Sequence, residues 1–492
     1  MTTGTAPTAG ALWPAFLAPA DQGRDDLCAV SARGHRVRFA DGRELLCGTS
    51  GLWNTNLGYG NEAIAQAIAE AAHDASYLHV FRYENTWARR AADALVEAAG
   101  PEHYARVLFS TAGGAANDAV MKLVRHYHLL QGGPRRQLVV GLKGSYHGLT
   151  YGGFALSGDD LQQQLYGVDQ RLVRHVTPNS PAELADLMAR EGRRVAAVVV
   201  EPVLGAGTLP LTSEYTDALL SLREQYGFLL VADEVATGFG RTGTFLATHR
   251  WSAPPDVLLL SKGLTNGTCA ASAILTSHAV ADAFTRHDSV LVHAETQAGT
   301  ALTCAAVLAT LAETRRLDAV ENGRRIAESL TAGLHALAAA HPAATSVTGL
   351  GLFQTLHLVQ PDGRALTGPE VAALVDAVRR EGALVHPAPS GIQLVPALTY
   401  TEAELAELLD CLDRGLTSYF GADTGAGTNA GAVHTAPASR IPAGAAAAAR
   451  RIPPAAAPQD PPVSVPQPQP QPQPQAAAAP APGAAVEAGW TR

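Results

Sequence analysis

Three side chains able to do acid–base or amine chemistry stand directly behind short apolar runs. Glu201 follows VAAVVV at 195–200, Asp233 closes FLLVAD at 228–233, and Lys262 follows VLLLS at 257–261. In layered α/β domains, reactive groups gather at the carboxyl ends of strands. A lysine there can form an imine with an aldehyde. A carboxylate beside an aromatic ring nitrogen keeps that ring protonated and ready to take electrons from a substrate carbanion. Of 36 basic residues only Lys122, Lys143 and Lys262 are lysines. Arginine cannot replace them in imine chemistry, because its guanidinium stays protonated and delocalised.

The amine and the acid together meet the needs of pyridoxal phosphate, and two further segments suit the rest of that cofactor. FSTAGGAAN at 109–117 precedes a helical stretch. Its Gly113 and Gly114 let the backbone approach an anion closely, with free N–H groups at the positive helix end. Tyr146-His147-Gly148 follows the run LVVGL at 138–142, where an aromatic ring can stack on a pyridine. Each feature alone has a plainer reading: a surface lysine, a turn aspartate, an ordinary Gly-rich turn, a buried aromatic. Their joint position at strand ends is what points to one site.

The elements that must position these groups alternate. Residues 35–46 read as a hairpin with a two-residue turn at Asp41-Gly42, and 61–75 and 84–99 have helical spacing. The runs at 138–142, 195–200, 228–233, 257–261 and 271–276 read as buried strands, with helices at 117–131, 181–191 and 213–226 between several of them. That alternation predicts an α/β layered domain on a mostly parallel sheet. Residues 300–340 read as two long helices, and 350–416 as a smaller α+β unit. The expected organisation is an N-terminal segment (1–55) packing with the small domain, a large domain (56–315), a small domain (316–420) and a tail (421–492). The tail is rich in Ala, Pro and Gln and includes PQPQPQPQPQ at 466–475. So few large apolar side chains cannot offset the entropy of ordering, so the tail is expected to be disordered.

Composition excludes several classes. The net charge of −9 argues against nucleic acid or an anionic membrane as partner. No apolar run has the length needed to span a bilayer, and the N-terminus lacks a signal-peptide pattern. Five scattered cysteines without a CxxC pair predict reduced thiols in a cytoplasmic protein. No metal site is expected, since His126 and His128 point to different helix faces and no other set has ligand spacing. Glu234 beside Asp233 does not make a two-carboxylate pair, because adjacent strand residues face opposite ways.

The motifs DEVATGFGRTG (233–243) and PDVLLLSKGLTNG (255–267) resemble the class III aminotransferases, the omega-transaminase and ornithine-transaminase group of fold type I pyridoxal-phosphate enzymes. GLWNTNLGYG (51–60), SYHGLTYGG (145–153), EPVLGAG (201–207) and HAETQAGTAL (293–302) extend the resemblance over residues 30–416. It implies a large domain with a mostly parallel seven-stranded sheet beside a smaller α+β domain. It implies that Lys262 joins the cofactor and shuttles the proton, that Asp233 partners the ring nitrogen, and that Gly113 and Gly114 bind the phosphate. Tyr146 and Val235 would cover the two ring faces, with His147 and Glu201 in the cofactor site. Thr296 would reach the phosphate of a second subunit, implying a homodimer with shared sites, and Trp53 would line the substrate pocket.

The departures from the family pattern concern both cofactor and substrate. The phosphate loop reads Ala112-Gly113-Gly114-Ala115-Ala116-Asn117, without the family's serine hydroxyls, and Ala236 stands for a glutamine. Gln393 stands where many members carry a carboxylate-gripping arginine, and Ala206 where they carry the glutamate that parks it. Losing one partner would strand a buried charge at a cost of about 3–5 kcal/mol, whereas losing both leaves a neutral pocket. The expected reaction therefore moves an amino group from an amine donor to a ketone or aldehyde lacking an α-carboxylate. The modified C-terminus of a ribosomal peptide, as in daptide-type biosynthesis, is one such acceptor. An arginine elsewhere, such as Arg82, is the competing source of a carboxylate grip. The same fold also serves aminomutases, racemases, decarboxylases and lyases, and a non-catalytic scaffold is the remaining alternative.

Overall fold

The computed structural model describes residues 10–421. The expected disordered stretch, apart from Gly421, lies outside the described residues. The chain opens with an antiparallel meander of β1 (Ala29–Arg33), β2 (Arg36–Phe39) and β3 (Glu44–Cys47). The turn at Asp41-Gly42 is present, but its loop has three residues rather than two. The Phe39 N–H donates to the Arg43 carbonyl, and Gly42 takes a left-handed φ of +90°. A left-handed residue closing a three-residue loop is the usual solution at that length.

The central sheet begins with β4 (Tyr104–Ser110), β5 (Leu138–Leu142), β6 (Val173–Val176) and β7 (Val195–Val200). A short hairpin of β8 (Val203–Leu204) and β9 (Leu209–Pro210) follows, then β10 (Leu229–Asp233), β11 (Val257–Leu260) and β12 (Ser272–Ser277). The seven-stranded order is β4-β12-β11-β10-β7-β5-β6. Only β12 runs antiparallel to its neighbours. Five of the seven strands are legible as apolar runs. The two missed, β4 and β6, are the sheet edges, where polar residues interrupt the run because burial is partial.

Alternation along the strands assigns the two faces. Val139, Val199, Val231, Leu259 and Ile274 pack with Ala116, Val120 and Val124 of helix Gly113–Leu130. Val140, Val198, Val200 and Leu230 pack with Leu184, Leu187, Leu219 and Leu220 of helices Pro181–Glu191 and Ser213–Tyr226. Ala232, Leu258 and Leu260 pack with Ala91 and Leu95 of helix Thr86–Ala99. Burying one such valine or leucine contributes about 1.5–3 kcal/mol, so a sheet covered on both faces tolerates the unbroken apolar run VAAVVV. The period of two puts Asp233 on the side of helix Gly113–Leu130 and Glu234 on the other. There Glu234 accepts bonds from Thr237 Oγ1, Ala247 N, Thr248 N and Thr248 Oγ1.

The C-terminal sheet has the order β13-β14-β17-β16, with β13 (Ala344–Leu350), β14 (Phe353–Leu358), β16 (His386–Ala388) and β17 (Gly391–Leu394). Strand β13 starts before the expected small-unit strand. The two-residue β15 (Ala383–Leu384) pairs in parallel with β3, which ties the N-terminal meander to this part of the chain. Helices Ala301–Arg316, Ala319–Ala340, Gly368–Arg380 and Glu402–Gly421 are the long helices of the C-terminal part.

One close approach positions the site. Gly148 has φ +104°, and a Cβ there would lie 2.4 Å from Gly114 Cα, so the loop after β5 sits directly on the start of helix Gly113–Leu130. Gly148→Ala is expected to lower unfolding stability by about 2–3 kcal/mol, since both φ and space forbid a side chain. Urea denaturation of the holoenzyme checks this; an unchanged midpoint would mean that the two segments separate at no cost.

Candidate active site

A cavity of about 680 Å³ opens where β5, β7, β10 and β11 end. Trp53, Gly113, Gly114, Tyr146, His147, Glu201, Asp233, Val235 and Lys262 all line it, so nine residues singled out in the sequence converge. Thr296 does not. It lies in an exposed loop, with its carbonyl accepting from Tyr77 Oη. Gln393 is also absent from the wall. It is buried in β17, with Nε2 donating to the Gly205 carbonyl at 2.7 Å.

Asp233 ends β10 with its carboxylate fully engaged. His147 Nδ1 and Asn117 Nδ2 donate to Oδ2 at 2.8 and 2.9 Å, and Val235 N donates to Oδ1 at 3.1 Å. Burial alone would raise the Asp233 carboxyl, but the bond and charge of His147, with Asn117 and the Val235 amide, bring it below its ordinary range. Burial pulls His147 the other way, and Asp233 more than offsets it, so the imidazole is raised. The result is a buried imidazolium–carboxylate pair. Asn117 carried no assigned role in the sequence. Its place one turn beyond Gly113, on the helix facing β10, was the available signal.

Lys262 stands two residues past β11, with a left-handed φ of +47°. Such backbone in a non-glycine residue is strained, and strain of this kind clusters at functional sites. Its amine has no hydrogen-bond or ion-pair partner among the described residues, and Nζ lies 4.3 Å from the Trp53 ring centroid. Burial lowers its pKa to about 8, partly opposed by the charges of Asp233 and Glu201. Glu201 accepts from Tyr146 N and Gly205 N at 2.9 and 3.0 Å, and burial raises it to about 7.

The remaining walls are shaped by small residues and by a strained loop. A Cβ on Gly113 would meet the Val235 methyls at 3.2 Å, and one on Gly114 would meet Thr150 Oγ1 at 3.3 Å. Trp53 ends a run of four left-handed residues, Ser50, Gly51, Leu52 and Trp53. Arg241 anchors that run. It is fully buried, and its guanidinium donates to Ser50 Oγ, Asn56 Oδ1, Leu352 O and Pro396 O. His386, reached through the C-terminal sheet, stacks edge-on against Trp53 at 5.5 Å. Burial and the Lys262 charge lower it to about 4. Neither Arg241 nor His386 had a local sequence signal for this placement.

These residues fit pyridoxal phosphate. The amine is free and opens into the cavity, the carboxylate is ionised beside it, and two glycines at a helix N-terminus leave room for an anion. The cofactor, when bound, supplies an electron sink for the carbon bearing the amino group. At pH 7 roughly a tenth of the Lys262 amine is neutral, against well under a hundredth for an ordinary lysine. Reductive labelling of Lys262 in cofactor-free protein by an aldehyde and borohydride should rise with pH through a midpoint near 8. Peptide mapping reads the labelling, and a midpoint above 10 would contradict the burial argument.

The comparisons agree with this geometry. The family model "Aminotransferase class-III" matches residues 19–416. Relatives include the diaminobutyrate–2-oxoglutarate transaminase of Halomonas elongata, 29% identical over 83% of this chain and 92% of its own. The adenosylmethionine-8-amino-7-oxononanoate aminotransferase of Nitratidesulfovibrio vulgaris is 30% identical over 81% of this chain and 78% of its own. Among solved structures, a PLP-bound amine transaminase from an uncultivated Pseudomonas species is 28% identical with a TM-score of 0.79, covering 84% of this chain and 99% of that one. The chain therefore belongs to the class III aminotransferases, transaminases of fold type I that use pyridoxal phosphate.

Proposed function

We propose that this transaminase delivers an amino group to a ketone or aldehyde that carries no α-carboxylate. The observation behind this reading is the charge inventory of the cavity. Among the described residues no arginine lines it, and its cations are Lys262 and the paired His147. Arg241 is buried and committed to four oxygens, and Arg82 is exposed and off the cavity wall. Gln393 and Ala206 are neutral. A carboxylate entering such a site would lose its hydration without gaining an arginine partner. The aldehyde or ketone at the modified C-terminus of a ribosomally made peptide is one acceptor of this kind.

In this reading Lys262 holds the cofactor and moves the proton between the two carbons of the exchange. Its low pKa lets the amine act as a base near neutral pH. Asp233, kept ionised by His147 and Asn117, partners the ring nitrogen. The amides at Gly113 and Gly114 take the phosphate, while Tyr146 and Val235 bound the ring. Glu201 fixes the backbone of Tyr146. The chain acts as a homodimer in the cytoplasm, with Thr296 serving the phosphate site of a second copy. Its exposed position off its own cavity supports that assignment.

Lys262→Ala is expected to abolish amine transfer while the protein stays folded. Mass spectrometry of ketones, aldehydes and α-keto acids incubated with enzyme and an amine donor reads the transfer, and circular dichroism reads the fold. A strong preference for pyruvate or 2-oxoglutarate in both half-reactions would defeat the carboxylate-free reading, and turnover by Lys262→Ala would defeat the role of the lysine.

A further inference from the structure

Behind Trp53, three polar side chains form a row across the C-terminal sheet. In the strand register Gln393 of β17 stands opposite Thr355 of β14 on one side and His386 of β16 on the other. Residues directly opposite in a sheet share a face, so the three side chains lie together. Thr355 and Gln393 are buried, 0% and 1% exposed. Yet Thr355 Oγ1 and Gln393 Oε1 have no hydrogen-bond partner among the described residues. Neither ring nitrogen of His386 has one among them either. Two unmet polar atoms in one buried row are unusual, because native proteins pair such groups with protein, water or ligand.

The row abuts the cavity. His386 packs on Trp53, whose ring also carries Lys262 Nζ at 4.3 Å. Gln393 Nε2 holds the Gly205 carbonyl, and a Cβ on Gly205 would meet the Trp53 ring at 3.5 Å and Glu201 Oε1 at 3.2 Å. The Trp53 ring and the Gly205 loop thus lie between the row and the reacting amine. Trp53 also has an unpartnered buried Nε1, so turning its side chain on the anchored backbone breaks no side-chain hydrogen bond among the described residues. The row itself is uncharged and offers both kinds of hydrogen-bonding capacity. The amide oxygen of Gln393 accepts, the Thr355 hydroxyl does either, and a neutral imidazole donates from one nitrogen.

We propose that Thr355, Gln393 and His386 form a subsite for an uncharged amide of the carbonyl substrate, reached when Trp53 turns aside. This rests on the carboxylate-free reading and adds what takes the place of the carboxylate. An amide presents an N–H and a C=O to a row holding an acceptor and donors, and it brings no charge that needs a counter-ion. A carboxylate would meet Gln393 Oε1 with repulsion.

The test compares two ketones of equal length on the holoenzyme: N-acetylaminoacetone, which carries an amide, and butyl methyl ketone, which does not. Wild type should favour the first in kcat/KM by about tenfold or more, the worth of a pair of buried hydrogen bonds. Gln393→Leu and Thr355→Val, made separately, should each bring the ratio towards one. Titration calorimetry with N-propylacetamide, an amide without the reactive ketone, should show binding to wild type that weakens about tenfold in either variant, a readout independent of turnover. Equal use of both ketones, or amide binding that neither variant changes, would overturn the subsite while leaving the carboxylate-free reading intact. Preference for keto acids over both ketones would instead remove that reading.

Discussion

Everything in the cavity depends on keeping one carboxylate charged where burial takes it out of bulk solvent. Moving an isolated carboxylate from water into a protein interior costs several kcal/mol, so a buried aspartate tends to take up a proton. Asp233 avoids this through partners from two other segments. Helix Gly113–Leu130 supplies Asn117, and the loop after β5 supplies His147. Those segments can meet at β10 only because Gly114 and Gly148 touch backbone to backbone. The helix start at this contact carries two glycines and no side-chain cap, and that is where a phosphate would be received. One electrostatic requirement thus dictates a packing requirement, and the packing brings the glycine-rich helix start to the cavity wall.

The amine faces the opposite constraint. Lys262 is useful only if its proton leaves easily, and its surroundings favour that. Burial lowers it, Arg241 adds like charge, and the nearby carboxylates are not close enough to form an ion pair. Arg241 is itself a buried cation without an acid partner, and burial holds it well down, at about 9. It is solvated by backbone carbonyls and by Ser50 and Asn56 instead of by a carboxylate. Those bonds also offset the strain of the left-handed run that carries Trp53, where each non-glycine residue costs about 1–2 kcal/mol. The charge that depresses the lysine therefore also anchors the backbone run that carries the ring standing over it.

Much of this is legible in the amino-acid sequence. The apolar runs of β5, β7, β10, β11 and β12 have no polar residue facing water, because helices cover both sides of the sheet, so hydrophobicity alone marked them. Strand ends then named Glu201, Asp233 and Lys262, and the glycine pair named the helix start that lines the same cavity. Edge strands β4 and β6 were hidden because half-burial breaks the run. The three-residue turn at Gly42 was hidden because Asp-Gly serves loops of either length.

By itself the sequence determined which residues are chemically able: an amine, an acid and a glycine-rich helix start, each at the end of an element its own hydrophobic pattern defines. By resemblance it also put a neutral Gln393 where many class III members carry a carboxylate-gripping arginine. Only the tertiary structure decided what surrounds those groups. That Asn117 holds Asp233, that Trp53 stands over Lys262, and that Thr355, Gln393 and His386 share a row are matters of register and of segments far apart in the chain. Local pattern encodes burial and period, whereas the partner a buried polar atom finds depends on which distant backbone arrives beside it.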